Sequence, residues 1–432
     1  MTARSTADAV VVGAGVIGAA IAYELARAGR DVVVVDRLGG PGHGSTSASS
    51  AIIRFNYSTW AGVALSWEAK HCWESWREHL AAPDSETLAR FRRTGLAMLD
   101  VDIAPKAPTL ALFDRAGIPY DVWSPAELRR RVPGIDAGRY WPPKRLDDDE
   151  FWAPPDGELG AFFTPDAGYV DDPRLAAANL MAAAQRQGAT LLTHREVTAV
   201  DVSDNRIGGV QLDGVDRIAT PVVVNAAGPW SGAFNRLAGI DGDFTVGVRP
   251  LRQEVHQVPA PAGPGTPVLA DLDLGIYTRP APGDVLLVGG AEPACDPLQW
   301  LENPDDAGSQ PTSEVFAAQV TRAARRLPGL TIPNRPAGIV GVYDVADDWT
   351  PIYDRTAIDG CYVAIGTSGN QFKNAPAVGR LMARLIDAVE RGADHDNDPV
   401  EFVGEHTGLR IDLSAFSRTR PVNDASTHTV LG

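Results

Sequence analysis

A glycine-rich turn between two valine-rich segments constrains the fold of this 432-residue chain more than any other feature. Residues 9–37 read AVVVGAGVIGAAIAYELARAGRDVVVVDR, so a strand-like run, a helical pattern and a second strand-like run follow one another. Gly13, Gly15 and Gly18 lie where the helix begins, and Asp36 ends the second run. This order of elements predicts a Rossmann-like βαβ unit in an α/β fold.

Each glycine of the turn has a mechanical role in binding a dinucleotide. Gly13 permits the tight turn, Gly15 lets a pyrophosphate approach the backbone, and Gly18 lets the helix pack closely on the strand. The helix start at Val16 and Ile17 supplies free N–H groups and a partial positive charge to the pyrophosphate. We therefore assign these five residues to a cofactor site.

The acid at the end of the second strand extends the same site. Asp36 lies where a carboxylate accepts hydrogen bonds from an adenosine ribose, and Arg37 follows it directly. The motif does not distinguish NAD from FAD. The structural alternative is a glycine-rich turn in a doubly wound sheet that binds no cofactor.

Residues 42–57, GHGSTSASSAIIRFNY, predict a second side of an extended cofactor site. Small hydroxyl residues admit close approach and donate hydrogen bonds to phosphate and ribityl oxygens. The alternative is a flexible surface loop. The hydroxyl residues that we assign to the site are Ser45, Thr46, Ser47 and Ser50.

Two later strand patterns are also expected to contact the cofactor. The run VVVNAAGPWS ends a strand and brings backbone close to the cofactor at Ala227, Gly228 and Trp230. Val197 begins another strand pattern, and we expect its backbone to face an adenine ring.

The overall charge and the cysteine pattern argue against several classes of partner and site. A formal net charge of −16 at pH 7 opposes binding to nucleic acid or to an anionic membrane surface. No run approaches the roughly 18 apolar residues of a membrane-spanning helix, and the N-terminus enters a strand without a secretory signal. Cys72, Cys295 and Cys361 lack the close spacing of a zinc or disulfide pair. We expect a cytoplasmic protein without a metal site.

The length and the element pattern predict two discontinuous domains. The cofactor-binding domain comprises residues 1–90, 161–245 and 336–390, and a mixed-sheet substrate domain comprises residues 91–160 and 246–335. The proline-rich and acidic stretch 136–160 is expected to be a lid, a docking element or disordered. Residues 391–432 are expected to form a polar tail with one packed segment, RIDLSAFS.

Six segments in order resemble the FAD-dependent amine oxidoreductases of the D-amino-acid oxidase superfamily. Sarcosine oxidase, especially its heterotetrameric beta subunit, is the branch that the chain resembles most, with dimethylglycine dehydrogenase nearby. The resemblance implies FAD in an extended pose, a substrate-domain sheet that covers the flavin, and hydride-like oxidation of a C–N bond beside a carboxylate. The six segments are the Gly13–Asp36 unit, SSAIIRFNY, TPDAGYVDDPRLAAANL, VVNAAGPWS, GVYDVADDWTPIYD and GTSGNQFKNAPAVGRLMARLI.

The resemblance also implies which residues bind the substrate. Sarcosine oxidases hold the substrate carboxylate with an arginine in an I-I-R segment and a lysine in a G-x-x-G-x-x-F-K segment, which match Arg54 and Lys373 here. A chain with a charge of −16 needs such fixed cations to hold a carboxylate. A helix that begins near Pro376 directs its positive end at the flavin. The flavin-side residues of this loop are Gly369, Asn370, Gln371, Phe372 and Lys373.

Three departures from the family pattern modify this assignment. Gly341 and Ala48 stand where relatives attach flavin through cysteine or histidine, so non-covalent FAD is expected, with Gly341 still beside it. Asn370 replaces the histidine that is usual in the lysine loop. Tyr277 replaces the lysine that promotes reaction with oxygen. The alternative is that Tyr277 only packs in the interior. Arg279, two residues on and on the same strand face, is another candidate source of the positive charge.

The main hypothesis is an FAD-dependent enzyme that oxidises a secondary or tertiary amino acid, such as an N-methyl amino acid. A D-amino-acid or cyclic imino-acid oxidase or dehydrogenase is an alternative within the same chemistry. An NAD(P)-dependent dehydrogenase and a non-catalytic flavin-binding subunit that docks a partner are the alternatives from other classes. An electron acceptor or a partner subunit is the expected macromolecular partner.

Overall fold

The computed structural model describes residues 5–260 and 266–430. Residues 1–4 lie outside the described residues. They belong to the N-terminal stretch on which the prediction of no secretory signal depends. Within the described ranges the chain forms a six-stranded sheet, a nine-stranded sheet and three smaller sheets. The predicted α/β fold, with a Rossmann-like unit and a second mixed sheet, is confirmed.

The six-stranded sheet carries the glycine-rich turn. Its order is β20-β21-β13-β1-β2-β9, and only β20 runs antiparallel to its neighbour. Successive residues of β1 alternate between two cores, because Ala9 and Val11 face one core and Val10 faces the other. A parallel sheet covered on both faces needs such continuous apolar strands. The strands are β1 (Ala9–Val12), β2 (Val32–Asp36), β9 (Thr190–Thr193), β13 (Val223–Asn225), β20 (Ile352–Arg355) and β21 (Cys361–Ile365).

Helices cover one face of this sheet, and a helix with a small antiparallel sheet covers the other. Three helices pack together on the first face, namely α1 (Val16–Arg27), α6 (Pro173–Arg186) and α9 (Ala375–Glu390), with α2 (Trp60–Glu74) and α3 (Trp76–His79) adjoining them. The second face holds α7 (Ser231–Ala238) and the strands β10 (Val197–Ser203), β11 (Arg206–Leu212) and β12 (Asp216–Ala219). No helix in the described ranges is long and apolar enough to cross a membrane.

The nine-stranded sheet is mixed, since β15 pairs with β5 in parallel and the other pairs are antiparallel. Its order is β18-β14-β17-β16-β15-β5-β7-β6, and β19 also pairs with β14. The helix α8 (Ser313–Arg326) packs against it. The strands are β5 (Leu96–Leu99), β6 (Asp121–Trp123), β7 (Ala161–Thr164), β14 (Val248–Pro259), β15 (Val268–Asp271), β16 (Ile276–Ala281), β17 (Val285–Gly290), β18 (Gln299–Trp300) and β19 (Gly338–Ala346). Two more helices of the chain are α4 (Lys106–Ala116) and α5 (Pro125–Arg131).

Short strands complete the fold. One sheet has the order β3-β8-β4, in which β3 (Ile52–Ile53) and β4 (Phe91–Arg93) flank β8 (Gly168–Val170). A hairpin near the end of the chain pairs β22 (Glu401–Val403) with β23 (Arg410–Asp412).

Sheet membership corrects the predicted domain limits at two places. β7 was assigned to the segment 161–245, but it pairs with β5 and β6 in the nine-stranded sheet. β19 was assigned to the segment 336–390, but it pairs with β14 along its whole length. Both strands join partners that are distant in sequence, and apolar periodicity does not reveal a strand's partner.

The stretch 136–160 is packed against α8 rather than detached from it. Phe151 and Leu159 are buried, and Arg326 donates hydrogen bonds to the carbonyl oxygens of Asp136 and Gly138. Arg326 also forms ion pairs with Asp271 (2.8 Å) and Asp273 (2.7 Å) in the interior, so one buried guanidinium holds the start of this stretch to the nine-stranded sheet.

The C-terminal segment is more extensively packed than a polar tail with one packed piece. Ile411, Leu413 and Phe416 of RIDLSAFS are buried, as expected. Packing continues beyond them, because Arg420 is buried against Asp348 and the chain then leads on to Val430, which is also buried. This continuation brings the C-terminal segment to the site described next.

Candidate active site

A cavity begins at the carboxyl ends of β1, β2 and β13 and extends to the nine-stranded sheet. Such strand ends are where open α/β sheets bind ligands. Gly18, Ser47 and Gly341 do not line the cavity. The predicted site residues that do line it are Gly13, Gly15, Val16, Ile17, Asp36, Arg37, Ser45, Thr46, Ser50, Arg54, Val197, Ala227, Gly228, Trp230, Tyr277, Gly369, Asn370, Gln371, Phe372 and Lys373.

Backbone crowding explains two of the three glycines. Gly13 has a φ of +106°, and a Cβ there would lie 2.4 Å from the carbonyl oxygen of Ala226. A Cβ on Gly18 would lie 2.0 Å from the carbonyl oxygen of Gly13. Gly18 therefore acts through helix packing and not by lining the cavity. At Gly15 a Cβ would meet only Thr46 Oγ1, at 3.3 Å, so this glycine keeps the cavity open.

The start of α1 offers hydrogen-bond donors to an anion. The Val16 N–H donates to Thr46 Oγ1 (3.0 Å), whereas the N–H groups of Gly15 and Ile17 have no acceptor among the described residues. Both of these residues line the cavity. Unpaired N–H groups at a helix N-terminus fit a pyrophosphate.

Asp36 links the glycine turn to the end of β2. Its two carboxylate oxygens accept the N–H groups of Ala14 (2.7 Å) and Leu38 (2.7 Å). A carboxylate oxygen has more than one lone pair, so Asp36 keeps the capacity to accept a ribose hydroxyl.

Beyond Asp36, three side chains form a clasp over this end of the cavity. Arg37 donates to both oxygens of Asp305, one of them at 3.0 Å, and Trp230 Nε1 donates to Asp305 Oδ1 (3.1 Å). The Arg37 guanidinium lies 4.4 Å from the centre of the Trp230 ring. Sequence analysis missed Asp305, because no local pattern relates this acid, in a short 3-10 helix (Pro304–Ala307), to Arg37, 268 positions away.

The hydroxyl segment approaches the cavity unevenly. Ser45 Oγ donates to the carbonyl oxygen of Val342 (2.6 Å) and joins this segment to β19. Ser47 Oγ turns back to the carbonyl oxygen of Gly44 (2.9 Å), which removes it from the cavity lining. A Cβ on Gly341 would lie 2.8 Å from Ala48 Cβ, so the two positions that the resemblance relates to flavin attachment adjoin each other.

Arg54 is a buried cation at the substrate end. It follows β3, whose pairing with β8 carries it inward, and the residue is 4% exposed. Its guanidinium donates to the carbonyl oxygens of Asn56 and Val430. No carboxylate in the described part of the chain forms an ion pair with it, and burial lowers its pKa.

Lys373 is the second buried cation. It lies in a short 3-10 helix, Phe372–Asn374, directly before α9, and it is 3% exposed. Its ammonium donates to Tyr57 Oη (3.0 Å) and to the carbonyl oxygen of Asn370. Burial, reinforced by the charge of Arg54, holds the pKa of Lys373 well below its usual value. Among the residues that the structure describes, its hydrogen-bond partners are all neutral.

The ring of Tyr57 joins the two cations. Its centre lies 5.0 Å from the Arg54 guanidinium and 5.1 Å from the Lys373 ammonium. Its hydroxyl donates to the carbonyl oxygen of Asn370 (2.7 Å). Sequence analysis missed Tyr57. Its position three residues after Arg54 does not by itself indicate a role in the site.

Tyr277 lines the cavity from β16. Its hydroxyl is 2.7 Å from Ser50 Oγ, and burial raises its pKa to about 12, so the phenol stays neutral. Arg279 reaches the same segment, since its Nε donates to the carbonyl oxygen of Ser50 (2.9 Å). However, Arg279 does not line the cavity and lies 4.2 Å from the ring centre of Tyr169.

The lysine loop brings backbone N–H groups to the cavity. Gly369 has a φ of +66°, and a Cβ there would lie 2.3 Å from the ring of Tyr343, another cavity residue that sequence analysis missed. The N–H groups of Gln371 and Phe372 have no acceptor within residues 5–260 and 266–430. Since α9 begins at Ala375, its positive end lies next to these donors.

Comparison with known proteins identifies the family. The model of the family described as "FAD dependent oxidoreductase", DAO, matches residues 8–385. The chain belongs to the DAO family of FAD-dependent oxidoreductases. Its cofactor is FAD, and the unpaired N–H groups at α1 together with Asp36 fit the pyrophosphate and ribose of that cofactor.

Individual relatives of this DAO-family protein are distant. It is 27% identical to FAD-dependent oxidoreductase domain-containing protein 1 of Bos taurus, covering 88% of the chain and 81% of the relative. It is 26% identical to glycine oxidase of Geobacillus kaustophilus, covering 90% and 94%. It is 25% identical to sarcosine oxidase subunit beta of Rhodobacter capsulatus, covering 88% and 84%.

A solved structure shares the fold. The crystal structure of L-proline dehydrogenase from P. horikoshii superposes with a TM-score of 0.74 at 24% identity, covering 90% of this chain and 94% of that one. Within the described residues, no three His, Cys, Asp or Glu side chains are grouped to hold a metal ion.

Proposed function

We propose that this protein oxidises a C–N bond in a secondary or tertiary amino acid, such as an N-methyl amino acid. FAD, when bound, would supply the acceptor for a hydride, which carries both electrons, from the carbon beside the nitrogen. The observation that carries the proposal is a pair of buried cations at the substrate end, Arg54 and Lys373, whose hydrogen-bond partners in the described part of the chain are neutral.

Electrostatics supports a carboxylate ligand. Burying two like charges without an anion is unfavourable, and the lowered pKa values of Arg54 and Lys373 reflect that cost. A substrate carboxylate next to both groups would stabilise their charged forms. Tyr57 orients Lys373 through its hydroxyl, so the two cations have fixed positions before substrate binds.

The relatives agree with this chemistry by name. A glycine oxidase and a sarcosine oxidase beta subunit act, as their names state, on small amino acids. Membership of an FAD-dependent family argues against the NAD(P)-dependent alternative.

An anaerobic substrate screen tests the proposal. The protein would be mixed without oxygen with N-methyl amino acids, D-amino acids and cyclic imino acids, and flavin absorbance would be followed. We expect N-methyl amino acids to bleach the flavin fastest. Faster bleaching by one of the other classes would replace the substrate assignment, and no bleaching by any class would favour a non-catalytic flavin-binding subunit.

Arg54→Ala and Lys373→Ala test the carboxylate grip. Each variant should weaken the binding of carboxylate ligands by about 2 to 5 kcal/mol, because it leaves the ligand charge without a buried partner. Binding would be measured by titrating the flavin spectrum, with flavin content determined in parallel. Affinity should also fall as pH rises, since the lowered pKa of Lys373 means that it loses its proton earlier.

Arg410→Ala is the matched control, because Arg410 pairs with Glu401 at the surface, with 72% of its side chain exposed. The control should bind carboxylates as the wild type does. If Arg54→Ala and Lys373→Ala also titrate like the wild type, the carboxylate grip is wrong.

A further inference from the structure

One residue of the C-terminal segment lies between the side chains of an arginine and a glutamate at the substrate end of the cavity. Val430 lines the cavity and is 7% exposed. Its carbonyl oxygen accepts a hydrogen bond from Arg54 Nη2, and its N–H donates to Glu292 Oε2 (2.7 Å). The backbone of one residue therefore bridges the proposed carboxylate-binding cation and a carboxyl group.

Glu292 is held at this position by its own backbone. It follows β17 closely and has a φ of +45°, a conformation that non-glycine residues adopt uncommonly. The neighbouring Ala291 N–H donates to the carbonyl oxygen of Gly275 (3.0 Å), which anchors the turn. The other recorded hydrogen bond to the Glu292 side chain comes from Gln253 Nε2 (3.0 Å).

No cation among the described residues forms an ion pair with Glu292. Two cavity tyrosines, Tyr277 and Tyr343, lie near this side chain. Burial raises the pKa of both hydroxyls, and the charge of an ionised Glu292 raises it further. A carboxyl group beside the cavity with only neutral donors is suited to a cationic ligand group.

The arrangement around Val430 matches an amino acid in polarity and spacing. A single tetrahedral carbon separates the N–H donor of Val430 from its carbonyl acceptor, just as one carbon separates the nitrogen and carboxylate of an α-amino acid. We propose that Glu292 binds the amino group of the substrate while Arg54 binds its carboxylate, and that Val430 occupies both groups until substrate displaces it. The role of Arg54 rests on the proposed function, whereas the role of Glu292 is new.

This assignment restricts the substrate class. The nitrogen must be on the carbon next to the carboxylate, and it must carry at least one N–H when protonated, which secondary and tertiary amines both do. An amine farther along a side chain would not match the one-carbon spacing with which Val430 contacts Glu292 and Arg54.

The C-terminal segment is anchored at Asn423, ahead of the residues that would be displaced from the cavity. Asn423 is bound to the protein body, since its N–H donates to Asp348 (3.2 Å) and its Nδ2 donates to Ser58 Oγ (3.1 Å). Ala425 and His428 donate their N–H groups within the segment, to Asn423 and Ser426. Residues after Asn423 can therefore leave the cavity without breaking the bonds that hold Asn423.

A matched pair of acids separates the two contacts. 2-Aminoisobutyrate has an amine and a carboxylate but no hydrogen on the carbon bearing nitrogen, so it binds without being oxidised; isobutyrate lacks the amine. Flavin spectral titrations would give both dissociation constants. Glu292→Gln should weaken 2-aminoisobutyrate by about tenfold or more and leave isobutyrate unchanged, because only the amine contact is lost.

Three further variants complete the experiment. Arg54→Ala should weaken both acids, and if it weakens neither, the proposed function fails independently of Glu292. Removal of the chain from Ser426 onward should strengthen the binding of both acids, because it frees both groups. Glu302→Gln, which changes an exposed acid outside the cavity lining, should behave as the wild type.

Two results would overturn the proposal. One is a Glu292→Gln variant, with wild-type flavin content, that changes the affinity for both acids equally or for neither. The other is equal affinity of the two acids in both the wild type and the shortened chain, since the amine would then contribute nothing.

Discussion

Two groups of buried cations in this protein, one outside and one inside the cavity lining, differ in their partners. Arg326 and Arg420 are buried against aspartates, Arg326 against Asp271 and Asp273 and Arg420 against Asp348. Arg54 and Lys373 are buried equally deeply but contact carbonyl and hydroxyl oxygens. A buried charge without a counter-ion is costly, so the second group indicates a site that an external anion completes.

We predict that FAD is bound non-covalently. Gly341 and Ala48 occupy the attachment positions, and neither side chain offers a nucleophile. Acid precipitation of the protein should leave the flavin in the supernatant, which absorbance of the two fractions would show. Yellow colour retained in the washed pellet would contradict this prediction.

Tyr277 leads to a prediction about oxygen. Its hydroxyl bonds to Ser50 and its raised pKa keeps it neutral, so it offers no fixed charge to forming superoxide. Losing one such preorganised charge typically costs about a hundredfold or more in rate. We expect the reduced protein to reoxidise slowly in aerated buffer, to pass its electrons to another acceptor, and to reoxidise faster as Tyr277→Lys.

Arg279→Met is the companion variant for this measurement, because Arg279 is the alternative source of charge. It lies beside Ser50 and Tyr169 and not in the cavity lining, so its removal should leave reoxidation unchanged. Fast reoxidation of the wild type with no gain in Tyr277→Lys would show that Tyr277 does not limit the reaction.

At the scale of elements, close contacts between helices position the N-termini of α1 and α9, which carry or adjoin the unpaired N–H groups. A Cβ on Gly379 of α9 would lie 2.5 Å from the carbonyl oxygen of Ala20 in α1, so a glycine lets these helices approach closely. Gly18 does the same between α1 and the strand turn. Because both helices direct their N-termini at one cavity, we expect packing errors here to weaken cofactor binding.

Gly18→Ala tests this element-scale dependence. Alanine usually stabilises a helix relative to glycine by about 1 kcal/mol, but here its Cβ meets the carbonyl oxygen of Gly13 at 2.0 Å. We expect a lower flavin-to-protein ratio and a lower Tm. Gly242→Ala, where a Cβ would meet nothing within 4 Å, is the control and should retain the wild-type ratio. A wild-type ratio in Gly18→Ala would contradict the packing argument.

At the scale of the whole molecule, the C-terminal segment connects the fold to the substrate end. Arg420 Nη2 donates to Asp348 (2.9 Å) and to the carbonyl oxygen of Thr350 (2.7 Å), which fixes the chain ahead of Asn423. Through this anchor, Val430 reaches Arg54 in the cavity, 376 positions earlier in the chain.

Arg420→Ala should destabilise the protein by roughly 3 to 5 kcal/mol, because it leaves Asp348 buried without its partner. Thermal unfolding would measure the loss. Arg410→Ala removes an exposed pair and should cost only about 0 to 1 kcal/mol. Equal stability of the two variants would show that the anchor contributes little to the fold.

Local patterns in the sequence determined the parts of this protein that depend on neighbouring residues. The glycine turn with Asp36 specified the βαβ unit, because turn, strand and helix preferences act over a few residues. The I-I-R and G-x-x-G-x-x-F-K segments indicated Arg54 and Lys373 through resemblance, and the structure places both at one cavity.

Tertiary structure alone decided which distant residues meet. Strand pairing assigned β7 and β19 to the nine-stranded sheet, and folding brought Asp305 to Arg37 and Val430 to Arg54. The apolar periodicity of one segment does not indicate its partner strand or side chain, because the pairing depends on the packing of the whole chain. For the same reason Tyr57 and Glu292 became candidates only when burial and hydrogen bonds showed what they contact.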